Sequence, residues 1–455
     1  MVIRVIEEGV NKLSNQIKLG MFQSSPKELD ASERFNGSAC PVTKIASEFE
    51  PFSEAYIKNP FDFFKRARQE EPIFYDPKSN YWVVLNYTDI VNIFRDPETF
   101  SAALARHPVT AMCPAAAEVR DSLDISIEPS LVDEDPVTHK VHKKIFGDAF
   151  TPKRVNEIEP RIRGIVNGFI DRFIENGKAD LVAQLLYEVP ALAIFIFLGA
   201  DDDKALMVKQ LGAVRAVVSW GKPTEDEQIE MMHDISKHWE FTKQLVDQAL
   251  MSPGDNYLGD MARLHLSDPT KFTVNYLCNV MFLMQFAGHE TTTQASANGM
   301  RALLENKDQW DALCKDPKLI PNAVEEILRY DSSIFAWRRI TTCDTKIGEF
   351  DIPKGAKILM ALGSGSRDDS VFEDGDDFNI FRKQKKKHLA FGNGVHFCMG
   401  APLARLEMKI ILEELARRLP HIRMVKGQKW DYIPTLAFRG IKKLLIEWDV
   451  SKNSQ

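Results

Sequence analysis

Hydrophobic positions in this chain recur mostly at helical spacing. In residues 1–20, Ile3, Ile6, Val10, Leu13 and Ile17 fall on one helix face. Residues 21–45 are rich in Ser, Glu, Lys and Asn and read as a connecting arm. Further helices are expected over 151–174 (opened by Thr151-Pro152 and closed by Asn176-Gly177), 189–198, 224–251 and 272–306. The last of these would be roughly 50 Å long at 1.5 Å per residue. Residues 320–330 follow, with Pro321 suited to a first turn, then 402–419, stopped by Pro420. Strand signals are fewer. Residues 81–85 are β-rich, 347–360 read as strand, turn and strand with the turn at 351–355, and 442–448 could be a last strand. The fold class is therefore mainly α with small β-sheets. One large domain over 40–455 is expected, preceded by an extension over 1–39.

Composition narrows the function. Lysine and arginine number 58 against 65 acidic residues, a net charge of −7. That balance argues against nucleic acid as the main partner, which would favour a basic stripe. The six cysteines (Cys40, Cys113, Cys278, Cys314, Cys343, Cys398) form no CxxC pair and no zinc-like spacing. Arg4, Glu7 and Glu8 interrupt any signal-peptide core. The longest uncharged stretch, 272–289, carries Thr273, Asn275, Asn279 and Gln285, so a buried helix is expected rather than a membrane span. A cytoplasmic location follows as an expectation.

The most specific segment is Phe391-Gly392-Asn393-Gly394-Val395-His396-Phe397-Cys398-Met399-Gly400. Cys398 stands just before a helix, where free N–H groups favour a thiolate. Gly392, Gly394 and Gly400 permit positive φ and a close approach of backbone to a flat cofactor. With Ala401 to Glu407, this segment resembles the haem-binding loop of cytochrome P-450 enzymes, matching F-G-x-G-x-H-x-C-x-G at every fixed position. The resemblance implies the P-450 fold, haem b, and Cys398 as the axial thiolate, with Phe391, Gly392 and Gly400 in the cofactor loop. A thiolate ligand pushes electron density toward bound oxygen.

Three other segments agree, in the family's order. Glu326 and Arg329 share a helix face. With Arg382 they resemble the family's structural ion cluster, and they count as scaffold. Ala287-Gly288-His289-Glu290-Thr291-Thr292 puts an acid and hydroxyls in mid-helix. Threonine can bond back to helix carbonyls there and Gly288 weakens the turn, so a kink that admits water is expected. The stretch resembles the oxygen-activation motif, which implies Glu290 and Thr291 as a proton-relaying acid–alcohol pair and Ala287 beside the haem. His139 and Lys143, four apart, resemble propionate contacts, as do Arg339 and His396. The family usually has arginine where Lys143 stands; lysine keeps the charge but loses the bidentate fork.

Substrate regions implied by the family are parts of 101–133, 211–220, 334–337 and 435–438, with Ala287, Phe335, Ala336 and Phe438 as pocket residues. They bring few charges, so a small apolar or aromatic substrate is expected. The resemblance extends to self-sufficient bacterial members, whose haem domain is fused to a reductase carrying FMN and a [2Fe-2S] centre. This chain has no dinucleotide fingerprint and no four-cysteine cluster. NAD(P)H electrons would then arrive through a ferredoxin and reductase, or through a fused reductase domain missing from a truncated chain. The expected activity is monooxygenation, either hydroxylation or O-dealkylation using O2. The rivals are a peroxide-driven peroxygenase and a non-catalytic haem-thiolate sensor.

Overall fold

A 32-residue helix, Val274–Glu305, forms the central axis of the helical part, flanked by Val189–Leu198, Asp202–Trp220, Glu225–Met251 and Ile320–Tyr330. The computed structural model describes residues 43–452 except 201 and 384. The expected N-terminal helix and most of its arm, with Cys40, lie outside the described residues. Thr273 caps the central helix by accepting from the Tyr276 N–H at 2.9 Å. Most of the helix is buried on all sides, which is why 272–289 reads as almost uncharged. Among the described residues no helix is long and apolar enough to cross a membrane.

The helix runs unbroken through Gly288. Gly288 allows close packing: a Cβ there would lie 2.5 Å from Ile194 Cγ1. The other long helices obey their end signals. Thr224 and Glu227 form a reciprocal capping box for Glu225–Met251. The final long helix is Ala401–Arg418.

Among the described residues, ten short strands form three sheets. They are β1 (Ile73–Asp76), β2 (Tyr81–Val84), β3 (Phe100–Ser101), β4 (Lys178–Asp180), β5 (Trp337–Thr341), β6 (Thr345–Ile347), β7 (Phe350–Ile352), β8 (Lys357–Met360), β9 (Arg423–Met424) and β10 (Leu445–Glu447). The largest sheet has the order β1-β2-β8-β5-β3, and a three-stranded sheet has the order β4-β10-β9. In β5, Arg339 pairs in register with Ile358 of β8. Because strand side chains alternate, Trp337 and Arg339 face one side of β5 and Arg338 the other.

Two local expectations are corrected. Residues 151–174 split into Pro152–Glu157 and Glu159–Asp171, joined at Ile158. Pro160 lacks an N–H and fits only a first turn, so it restarts the helix. Within 347–360 the chain turns at Gly348 (φ +55°), and Asp351 sits in β7 opposite Lys346. The second turn lies before β8, over 353–356.

Candidate active site

The cysteine loop is built by backbone bonds between its own ends. The Cys398 N–H donates to Phe391 O at 3.0 Å, and the Phe397 N–H to Gly394 O at 3.1 Å. Gly392 and Gly394 adopt φ of +68° and +66°, and a Cβ on Gly394 would stand 2.3 Å from the Phe94 carbonyl oxygen. Gly400, at φ −75°, uses no positive φ. Its place against Cys398 Sγ would still leave a Cβ at an ordinary 3.7 Å.

Cys398 opens onto a cavity of about 370 Å³ that reaches across to Ala287 and Thr291 on the central helix. The surface it exposes is cavity wall, so the sulfur is desolvated. Burial pushes its thiol above the usual value, while the N–H groups of Gly400 and Ala401 and the charge of Lys143 pull it down. The helix-terminal N–H groups favour the thiolate as expected, but burial outweighs them. A bound cation at the sulfur would make the thiolate.

Four basic side chains converge on the same cavity. His139 and Lys143 come from the Pro136–Asp148 helix, Arg339 from β5 and His396 from the cysteine loop. The imidazole centroids of His139 and His396 are 3.9 Å apart. Burial, then neighbouring charges that include Lys143 and Arg339, holds His139 down at about 4. The same causes, with Arg339 ahead of His139, hold His396 at about 2. Arg339 is buried and lowered to about 10 by desolvation. His396 Nε2 is buried with no partner among the described residues. Lys143 donates to the carbonyls of Val395 and Phe397 (2.9 Å to the latter), tying its helix to the loop.

On the central helix, Thr291 Oγ1 donates back to Ala287 O at 2.8 Å, and both residues line the cavity. Glu290 is one step round the helix, turned from the cavity and buried. Its Oε1 accepts from Gln294 Nε2 at 2.6 Å, and its Oε2, 3.7 Å from His289 Nε2, has no hydrogen-bond partner among the described residues.

Comparison with known proteins decides the family. The sequence model "Cytochrome P450" matches residues 77–439. The chain belongs to the cytochrome P450 family. It is 30% identical over 400 residues to cytochrome P450 107B1 of Saccharopolyspora erythraea, covering 86% of this chain and 96% of that one. An intact type IV self-sufficient cytochrome P450 monooxygenase superposes with a TM-score of 0.88 at 38% identity, over 91% of this chain and 54% of that one. The chain thus spans about half the length of that enzyme. The P450 CREJ in complex with (4-ethylphenyl) dihydrogen phosphate superposes at 0.85 and 35% identity, over 89% and 100%.

Membership in the P450 family implies haem, and the residues present fit it. The cavity offers a thiol at one wall. At its edge it holds the four basic side chains of His139, Lys143, Arg339 and His396, with no carboxylate bonded to them among the described residues and one imidazole nitrogen without a hydrogen-bond partner. Carboxylates such as haem propionates would complete that edge. The family's scaffold cluster is also present. Arg329 meets Glu326 through two bonds of 2.8 Å, and Arg382 Nε lies 3.2 Å from Glu326, all with Glu326 and Arg329 fully buried. The remaining Arg329 donors reach the carbonyls of Ser366, Gly375 and Asp377.

Of the expected pocket residues, Ala287 and Phe438 line the cavity, but Phe335 and Ala336 do not. Phe335 turns into an aromatic cluster, stacking 5.4 Å from Phe64 and meeting Phe61 edge-on at 5.6 Å. Ala336 is buried in the same core. Ile334 and Trp337, on either side, face the cavity instead.

Three charged residues were missed in the sequence. Lys209, fully buried, donates to Thr293 Oγ1 at 2.8 Å and sits over the Tyr187 ring. Burial lowers it to about 8, against the pull of Glu290 and Glu407. Glu407 lines the cavity with both oxygens unpartnered among the described residues, and burial raises it well above the carboxylate range. Arg215 also lines the cavity. The only available signal was a charge inside an otherwise apolar helical stretch, which does not separate a buried cation from a surface one.

Proposed function

We propose that this P450 is a monooxygenase of small apolar or aromatic molecules, acting by hydroxylation or O-dealkylation. The observation that carries this reading is one cavity with Cys398 on one wall and Ala287 and Thr291 on the other. Haem b, held at Cys398 and by His139, Lys143, Arg339 and His396, supplies the activation of dioxygen with two electrons. The protein residues manage position and protons. Phe391, Gly392 and Gly400 keep the loop low enough for a flat group to lie over it. Thr291 presents a hydroxyl at the cavity wall, anchored to the Ala287 carbonyl. Glu290 stands behind it as a buried acid with one unpaired oxygen, and supplies protons to Thr291 through water. Lys209 holds a positive charge near Glu290. Ala287, Ile334, Trp337 and Phe438 shape the apolar wall that excludes bulk water and receives the substrate.

Residues 40–455 are assigned to the haem domain and 1–39 to an extension, in a cytoplasmic protein. Electrons from NAD(P)H would come from a ferredoxin and reductase or a fused FMN/[2Fe-2S] reductase. The resemblance to a self-sufficient enzyme over half that enzyme's length supports this route. Lys383, Lys385, Lys386 and Lys387 are exposed, and so are the apolar Val137, Val141 and Val395 beside Lys143. This basic, partly apolar face suits an acidic electron donor. Neutralising the four lysines should slow reduction and flatten its salt dependence in stopped flow; an unchanged rate discards the docking assignment.

The central test is spectroscopic. The reduced protein under carbon monoxide should show the far-shifted Soret band of a thiolate ligand, and Cys398→Ser should abolish it. Persistence of the band in that variant would remove Cys398 as the ligand. Peroxide-driven turnover outpacing NAD(P)H-driven turnover, with a competent donor present, would make the protein a peroxygenase instead.

A further inference from the structure

One cation on the cavity wall has no task in the oxygen chemistry. Arg215, on the Asp202–Trp220 helix, lines the cavity. Its guanidinium lies over the rings of Phe282 and Phe286, 4.0 and 5.0 Å from their centroids. Nη1 donates to the Phe282 carbonyl at 2.6 Å. Among the described residues no acceptor meets Nε or Nη2, and no carboxylate pairs with the group. The neighbouring anion on this wall, Asp133, is taken by Arg106 through contacts of 2.8 and 2.9 Å. Burial, and then the like charge of Arg106, lowers Arg215 to about 9, so it stays protonated at neutral pH.

Holding a desolvated cation without a counter-ion is costly, and capping one helix carbonyl does not require a charge. A planar guanidinium with two open donors is instead the group best matched to a carboxylate or a phosphate. Its place also has a consequence for regiochemistry. Phe282 and Phe286 precede Ala287 and Thr291 by about five residues on average, or roughly 8 Å along the helix axis. That is about the length of a benzene ring with a short alkyl arm.

We propose that Arg215 binds the anionic head of the substrate, a carboxylate or phosphate monoester on a small aromatic body, and thereby directs the opposite end of the molecule to the oxygen-activation stretch. This inference rests on the cavity being the P450 substrate site, and the experiment separates the two. Haem-loaded ferric protein is titrated with 4-isopropylbenzoate, its uncharged isostere 4-isopropylbenzamide, and 4-isopropylphenyl phosphate, with the haem spin-state shift as readout. The wild type should bind at least one anion about 10-fold or more tighter than the amide, and the tighter anion identifies the head group. Arg215→Gln should bring the anion-to-amide ratio close to one, and Arg215→Lys should keep part of it. Equal affinities in the wild type overturn the proposal, as does a preference that survives Arg215→Gln. If Arg215→Gln does not fold, the wild-type ratio and its partial loss in Arg215→Lys decide. A far-shifted Soret band under carbon monoxide alongside a failed preference would sink this inference and leave the haem-thiolate reading standing. Absence of the band overturns both.

Discussion

Two buried charge clusters in this protein differ in how completely they are satisfied. Around Glu326 and Arg329 every donor and acceptor has a partner: Arg382 and the Asn379 N–H reach the carboxylate, and three backbone carbonyls receive the rest of Arg329. Along the central helix the opposite holds. Glu290, Gln294 and His289 each keep at least one buried polar atom without a hydrogen-bond partner among the described residues, as does Glu407 on the neighbouring Ala401–Arg418 helix. A saturated cluster has nothing left to offer a ligand or a proton, so it serves as scaffold. An unsaturated one stays in place only because the surrounding packing holds it, and it is where water, substrate or protons can be engaged.

The comparison can be broken most forcefully at the saturated cluster. Glu326→Ala leaves the buried Arg329 and the half-buried Arg382 without their carboxylate. It should cost about 3–5 kcal/mol, read as a lowered denaturation midpoint and loss of haem retention. A near-neutral result would show that the cluster is not scaffold. The cysteine loop belongs to the same rigid class. Gly394→Ala combines a positive φ with a Cβ 2.3 Å from Phe94 O, and should cost about 2 kcal/mol or more, read in the same unfolding measurement.

The unsaturated side should respond differently, with function moving more than stability. Thr291→Ala removes a hydroxyl that only back-bonds its own helix, so stability should change by less than about 1 kcal/mol. Product formed per electron should fall about tenfold, with the difference appearing as hydrogen peroxide. Unchanged coupling would take Thr291 out of the relay. Lys209 gives a subtler readout through pH. Its folded value of about 8 lies below the ordinary lysine value of 10.5, so between them the unfolded chain binds more protons. Stability should therefore rise as pH climbs from about 8 toward 10.5, and Lys209→Met should erase that slope in denaturant midpoints. An identical slope in the variant would place the depressed group elsewhere. The smallest effect is expected at Gly400, where φ is ordinary and a Cβ meets Cys398 Sγ at 3.7 Å. Gly400→Ala should shift stability by less than about 1 kcal/mol, in contrast to Gly394→Ala.

Much of the saturated side was legible in the chain itself. Glycine spacing, a cysteine before a helix, and Glu326 three residues from Arg329 are local patterns whose geometry follows from backbone periodicity. The central helix was legible because its whole length is buried, which removes formal charges over 272–289. The unsaturated side was read only in part. Thr291 and Ala287 do share the cavity face, but Glu290 is turned from it, because adjacent helical residues point about 100° apart. Phe335 and Ala336 lie in the right segment with the wrong orientation, because aromatic neighbours far away in sequence claim Phe335.

Local periodicity and short-range motif spacing were enough to place the helices over 189–198, 224–251, 272–306, 320–330 and 402–419, the thiol before the last of these, and the resemblance to the family. Tertiary structure alone decided which charges are paired. Lys209, Arg215 and Glu407 look like ordinary surface residues along the chain, and they become buried or cavity-lining groups only when helices distant in sequence pack around them. Desolvation depends on everything within a few ångströms in space, and a one-dimensional pattern does not contain that neighbourhood.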